Sequence, residues 1–375
     1  TGQNVSLTFN ASGVATTAVQ YADVGRITLN AEDTTPGSTM SGSDVFVAAP
    51  ARFVFSGVTP GPIKAGGNFA ATVSAHNSAN AVTPNFGRET PAEGVVLAFN
   101  KVAPTGSGAS NGILGGALGA FVAGSASASN LNWSEVGTLD LTATLASGSY
   151  LSSGLSATGT TDTTASGGAA GQVGRFIPDH FATEVTQGCA AGSFTYSGQS
   201  MATVVRARNA AGNVTVNYDG TGNTSPNFAK DVTLSEANIL AGTLTPTALL
   251  ATSFTAGQAS HSLTFTFTNR ATAPGVARVR AVDSDGVTSA TGVEAVPAIR
   301  SGRARLANAL GSDRLDLPMV FRAEYWASAA SGWASTIPWQ SMASNARMAS
   351  WRISSATSSS SGSPSSIHAK SAKSK

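Results

Sequence analysis

The chain has 375 residues, of which only 11% are charged, and a formal net charge of +2. An average globular domain is about 25% charged, so this surface relies on hydroxyls and backbone for solubility, which suits extracellular β-proteins better than cytosolic enzymes. Basic residues are scattered except for a cluster over residues 300–314 and three lysines at the C-terminus, which excludes the basic stripe of a nucleic-acid binder.

No window approaches the roughly 18 consecutive apolar residues of a spanning helix, so no membrane-spanning segment is expected. Forty-one glycines and 15 prolines supply many turns, and long runs of helix formers are missing. Cys189 is the only cysteine. It is an unused thiol, one half of a disulfide to a residue outside this stretch, or a nucleophile, although no local nucleophile signature surrounds it.

In chain order, the alternation of Val5-Ser6-Leu7-Thr8-Phe9 predicts a strand. Residues 21–29 and 44–47 predict two more, closed by Pro50. Three strands are too few for a sandwich, so residues 1–50 read as the C-terminal part of a truncated β-sandwich. Residues 51–173 form a second unit, with strands predicted at 52–55, 69–75, 94–99 and 133–145. Residues 104–130 are rich in Gly, Ser and Ala and read as a long loop. Residues 152–171 read as an exposed strand edge plus a flexible connection.

Residues 174–297 form a third unit. It opens on Gly174-Arg175-Phe176-Ile177-Pro178-Asp179-His180-Phe181, in which Arg175-Phe176 matches Arg52-Phe53 of the second unit. Strands are predicted at 176–185, 193–196, 202–208, 232–234, 262–268 and 276–282. Residues 298–333 begin another β-domain. From residue 334 the alternation disappears, and 334–375 reads as a low-complexity tail, disordered or irregular, that is expected to be an out-of-frame translation.

Two internal repeats organise this pattern. Residues 75–86 align without a gap on residues 207–218, so that Asn77 meets Asn209 and Asn85 meets Asn217. A Gly-x5-Ala echo occurs three times, at Gly25 and Ala31, Gly137 and Ala143, and Gly275 and Ala281. Repeats of this length are tandem domains and not solenoid units. Short strands with turn signals between them indicate sandwiches. The expected fold is therefore all-β, with tandem immunoglobulin-like β-sandwich domains.

Chemical motifs are sparse. Asp283-Ser284-Asp285-Gly286 resembles the start of a calcium loop, with Glu294 at the last-ligand spacing, but Val287 and Ser289 interrupt it and an acidic turn that ends a strand is the favoured reading. Asp179 and His180 are adjacent, and in a strand their side chains would point to opposite faces. His76, His180, His261 and His368 show no metal spacing. Trp133, Tyr196, Tyr218, Tyr325 and Trp326 would make either a sugar-stacking platform or core. Asn-x-Ser/Thr sequons stand at Asn4, Asn10, Asn132, Asn213 and Asn223 and matter only in a eukaryotic secretory setting. No catalytic residue, metal ligand or cofactor-binding residue is expected.

Several segments together resemble a bacterial family: residues 174–181, 194–199, 217–218 with 228–230, 283–287, and 302–312 running to 317–318 and 322–326. They look like the C-terminal domain of unknown function of MshQ-like proteins, from the operons of mannose-sensitive haemagglutinin (MSHA) type IV pili. The resemblance covers residues 50–333. It implies an exported protein of the bacterial cell surface, with pilus or other surface proteins as partners. It also implies, as the partner of Cys189, a cysteine in the family's continuation after Trp333, which the tail replaces here. The function expected is a non-enzymatic stalk that presents an adhesive domain, with no cofactor. The alternative is a carbohydrate-binding module that takes glycans on loops at a sandwich end.

Overall fold

The computed structural model describes residues 4–189, 192–308, 310 and 320–335, and the expectations for residues 334–375 lie almost wholly outside them. Almost all regular structure is β, joined by loops and short 3-10 turns. The first unit is a ribbon of β1 (Gly25–Glu32) and β2 (Ser41–Ala48), antiparallel with Gly25 opposite Ala48. Residues 5–9 are not a strand. Val5, Leu7 and Phe9 are exposed, because alternation without a neighbouring strand forms no ladder.

The second unit is a two-layer sandwich. Its strands are β3 (Arg52–Ser56), β4 (Ile63–Lys64), β5 (Phe69–His76), β6 (Val95–Ala103), β7 (Leu114–Gly115), β8 (Ser125–Trp133), β9 (Gly137–Leu145), β10 (Thr158–Thr160) and β11 (Val173–Ile177). One layer has the order β3-β5-β8-β7. In the other, β9 takes β6 on one edge and β10 and β11 in succession on the other, with β4 parallel to β11. The alternating inward residues of β5 and β9 meet between the layers, where Phe69, Trp133, Leu139, Leu141 and Phe176 are buried. The predicted loop over 104–130 hides β7 and most of β8. The inward set of β8 begins with Ala126 and Ala128, too small to raise an apolar signal between serines.

The third unit repeats this plan with β12 (His180–Thr186), β13 (Thr195–Tyr196), β14 (Ser200–Arg208), β15 (Val232–Glu236), β16 (Gly242–Thr245), β17 (Ala248–Leu249), β18 (Gln258–Phe267), β19 (Gly275–Val276), β20 (Val279–Asp283) and β21 (Ala298–Arg300). The order β12-β14-β18-β16 reproduces β3-β5-β8-β7. β15 pairs with β20 as β6 pairs with β9, and β21 takes parallel β13 as β11 takes parallel β4. A final meander joins β22 (Gly302–Leu306), β23 (Phe321–Ser328) and β24 (Gly332–Ser335).

The central stretch 174–181 is divided by Pro178. Residues up to Ile177 lie in β11, which pairs with β9 and β4, while His180 begins β12, which pairs with β14. Arg52-Phe53 faces His76 and Ala75, and His180-Phe181 faces Arg208 and Ala207. The counterpart of Arg52-Phe53 is therefore His180-Phe181 and not Arg175-Phe176. Proline supplies the break because it has no N–H for the ladder of either sheet.

Candidate functional site: the junctions between units

The densest buried polar chemistry lies where one sandwich meets the next. Between β8 and β9, Glu135 is 5% exposed. Its carboxylate accepts the backbone N–H of Val216 and of Asn217, each at 3.1 Å, from the third unit. Asn217 is fully buried. It returns the contact by donating Nδ2 to the carbonyls of Ser110 (2.9 Å) and Val136 (3.0 Å) and accepting the Ser110 N–H at 2.7 Å. Asn209 donates Nδ2 to the Ser134 carbonyl at 3.0 Å, while its Oδ1 accepts the N–H groups of Ala211 and Asn213 and so shapes its own turn. Burial pushes the Glu135 carboxyl above the usual carboxylate range, against the pull of the three backbone N–H groups it accepts and of Lys101.

The same device joins the first and second units. Asp23 accepts the N–H of Val24 at 2.8 Å and of Asn85 at 3.2 Å. Asn77 donates Nδ2 to the Ala22 carbonyl at 2.7 Å, and its Oδ1 accepts the Ala81 N–H. Asn77 thus does for one junction what Asn209 does for the other, and Asp23 stands where Glu135 stands, while Asn85 joins through its backbone N–H where Asn217 also engages its side chain. The glycine two residues after each acid serves the same geometry. Gly25 and Gly137 adopt φ of +136° and +138°, and a side chain on Gly137 would strike the Ala103 carbonyl.

Two ion pairs flank the second junction. Arg175 of β11 grips both carboxylate oxygens of Asp285, at 2.6 and 2.9 Å. Lys64 donates to the Asp179 carbonyl at 2.9 Å and lies 3.5 Å from its carboxylate. The Arg175 guanidinium holds the Asp285 carboxyl below the usual range.

The carboxylates of the calcium-like stretch are engaged by protein donors. Asp283 Oδ1 accepts the N–H groups of Asp285 and Val287, and its Oδ2 accepts the Tyr218 hydroxyl at 2.9 Å. Asp285 faces Arg175, and Glu294 faces Arg280 at 2.7 Å. These carboxylates are occupied by protein donors and do not converge on a common point. Among the described residues no group of three His, Cys, Asp or Glu could hold a metal ion.

Asp179 and His180 do meet, with Oδ2 2.8 Å from Nδ1, contrary to the expectation of opposite faces. Asp179 lies in the bend after Pro178, outside the strand, so the alternation rule does not reach it. The aromatic residues do not assemble into one platform. Trp133 and Tyr218 are core residues in different units, Tyr196 packs on Phe194, and Trp326 packs on Trp333 of the last meander. Cys189 is buried.

The acids were the part that sequence reasoning missed. Asp23-Val24-Gly25 and Glu135-Val136-Gly137 place an acid two residues ahead of two of the three Gly-x5-Ala echoes, and that was the available signal.

The fold and its junctions define a tandem protein of immunoglobulin-like β-sandwiches. Residues 135–299 match the family model described as DUF6701, third domain, and residues 1–43 match the one described as domain of unknown function (DUF6701), first Ig-like domain. The longer match begins at the junction carboxylate Glu135 and ends in β21. No curated protein matches the chain. Among solved structures the chain is similar to the Yersinia pseudotuberculosis adhesin InvE, at 12% identity over 73% of this chain and 66% of that one, with a TM-score of 0.28. It is also similar to the Escherichia coli adhesin FdeC, at 15% identity over 76% of each chain, with a TM-score of 0.27.

Proposed function

We propose that the chain is a non-enzymatic structural segment of an exported bacterial surface protein, a stiff series of sandwiches that holds an adhesive domain away from the cell. The observation that carries this reading is the repeated junction. Two successive unit boundaries set an acid against the backbone of the next unit and an asparagine against a carbonyl of the previous one, buried at the second boundary and half-buried at the first. Interfaces between domains of one chain are ordinarily mobile, whereas buried, mutually satisfied polar groups fix one orientation. A catalyst or lectin gains nothing from repeated fixed angles, and a spacer does. The finer setting, in MSHA-type pilus operons, is supported by the resemblance of residues 174–181, 283–287 and 322–326.

Small-angle scattering tests the mechanical claim. The wild-type chain should give the pair-distance distribution of an extended, rigid particle. Glu135→Ala, which leaves the Val216 and Asn217 N–H groups without their acceptor, should broaden it. A compact particle, or a wild-type chain already as flexible as the variant, would remove the stalk reading.

A further inference from the structure

We propose that β6 is a pairing edge through which two copies of this chain associate side by side, continuing the second unit's sheet from one molecule into the other. β6 is nine residues long and pairs on one side only, with β9. Among the described residues it is the longest strand with an open edge. Natural sheets guard such edges with charge, proline, brevity or a covering segment, and the edges of β12, β16, the β1–β2 ribbon and β22 are guarded in these ways. Residues 288–293 cover β12, through the bonds of the Phe181 and Thr183 N–H groups to the Thr288 and Val293 carbonyls. β16 has four residues and is followed by Pro246. The β1–β2 ribbon carries Arg26, Glu32 and Asp44, and β22 carries Arg303 and Arg305. The informative comparison is internal. β15 is the third unit's counterpart of β6, and its outer edge is taken by β17, with Val232 opposite Leu249. The edge of this strand is thus built to receive an antiparallel neighbour, and in the second unit none is present.

β6 reads Val-Val-Leu-Ala-Phe-Asn-Lys-Val-Ala. Its one charge, Lys101, is drawn back onto the Pro104 carbonyl at 2.5 Å and so does not guard the edge. The occupant that fits is a second β6. A two-fold antiparallel pairing centred on Phe99 sets Lys101 opposite Leu97 and Ala98 opposite Asn100, so no like charges face each other. Such pairing is isologous and closes as a dimer instead of growing into a fibre. Val96, Ala98 and Asn100 are already exposed, so nothing in the core must move.

Sedimentation velocity over a concentration series tests this with a register-specific pair of variants. The wild-type chain should show a monomer–dimer equilibrium. Ala98→Lys with Asn100→Lys places lysine opposite lysine twice across the two-fold axis and should weaken the dimer about tenfold. Ala98→Lys with Asn100→Glu places lysine opposite glutamate at the same two points and should restore it. Thermal melting at low concentration should be unchanged in both variants, since both positions are exposed. A wild-type chain that stays monomeric overturns the proposal. So does a dimer indifferent to both variants, or one weakened equally by both.

Discussion

The Asp285 carboxylate shows how a residue's partner decides the sign of its pH dependence. Arg175 holds its pKa below the unfolded value, so the folded state binds fewer protons there. The stabilisation is complete above the unfolded value, near about 4, and is lost as pH falls through the folded one. Asp285→Asn should cost about 1 kcal/mol at neutral pH, in keeping with a bidentate but partly exposed pair. In urea titrations the difference from wild type should narrow as pH drops below about 4. Glu135 behaves oppositely. Burial raises its pKa, so its contribution grows as pH falls through the folded value. As pH falls, Glu135 therefore takes up its proton first, and the Arg175 clamp loosens only at lower pH.

At the scale of elements, β8 carries both a core anchor and a junction. Its last residue, Trp133, is fully buried against Phe176 and Phe99, with ring centroids at 5.1 and 6.4 Å, and donates Nε1 to the Asn111 carbonyl at 2.9 Å. Trp133→Ala should cost about 3–5 kcal/mol by opening a cavity. Trp133→Phe should cost about 1–3 kcal/mol, largely from leaving the Asn111 carbonyl unpaired. Chemical denaturation monitored by circular dichroism checks both. The sequence showed the strands with large alternating residues, such as β5 and β9, but ran one strand through Pro178, where the chain in fact passes from one sheet to another. It hid most of β8, because alternating Ala and Ser carry the period of a strand without its hydrophobic contrast. It misled at residues 5–9, where alternation has no partner strand. The asparagines of both junctions were visible in the aligned repeat. Their acids were not, because each lies in the preceding unit and only the fold brings it to the turn.

For the whole molecule, the junctions predict coupled unfolding. In the wild-type chain the second and third units should melt as one cooperative transition. Glu135→Gln keeps the side chain's size but replaces one acceptor with a donor that faces a backbone N–H, at a cost of about 1–3 kcal/mol. It should split the calorimetric trace into two transitions, and a single undivided transition in the variant would show that the coupling lies elsewhere. The passage from β11 through Pro178 and Asp179 into β12 has a mechanical meaning as well. Two residues of covalent backbone, Pro178 and Asp179, cross the junction, and the Glu135 and Asn217 bonds tie the same two sandwiches a second time through loops distant in sequence. A joint held at two separate places resists bending and twisting about the covalent link, where a joint held by the link alone would swivel.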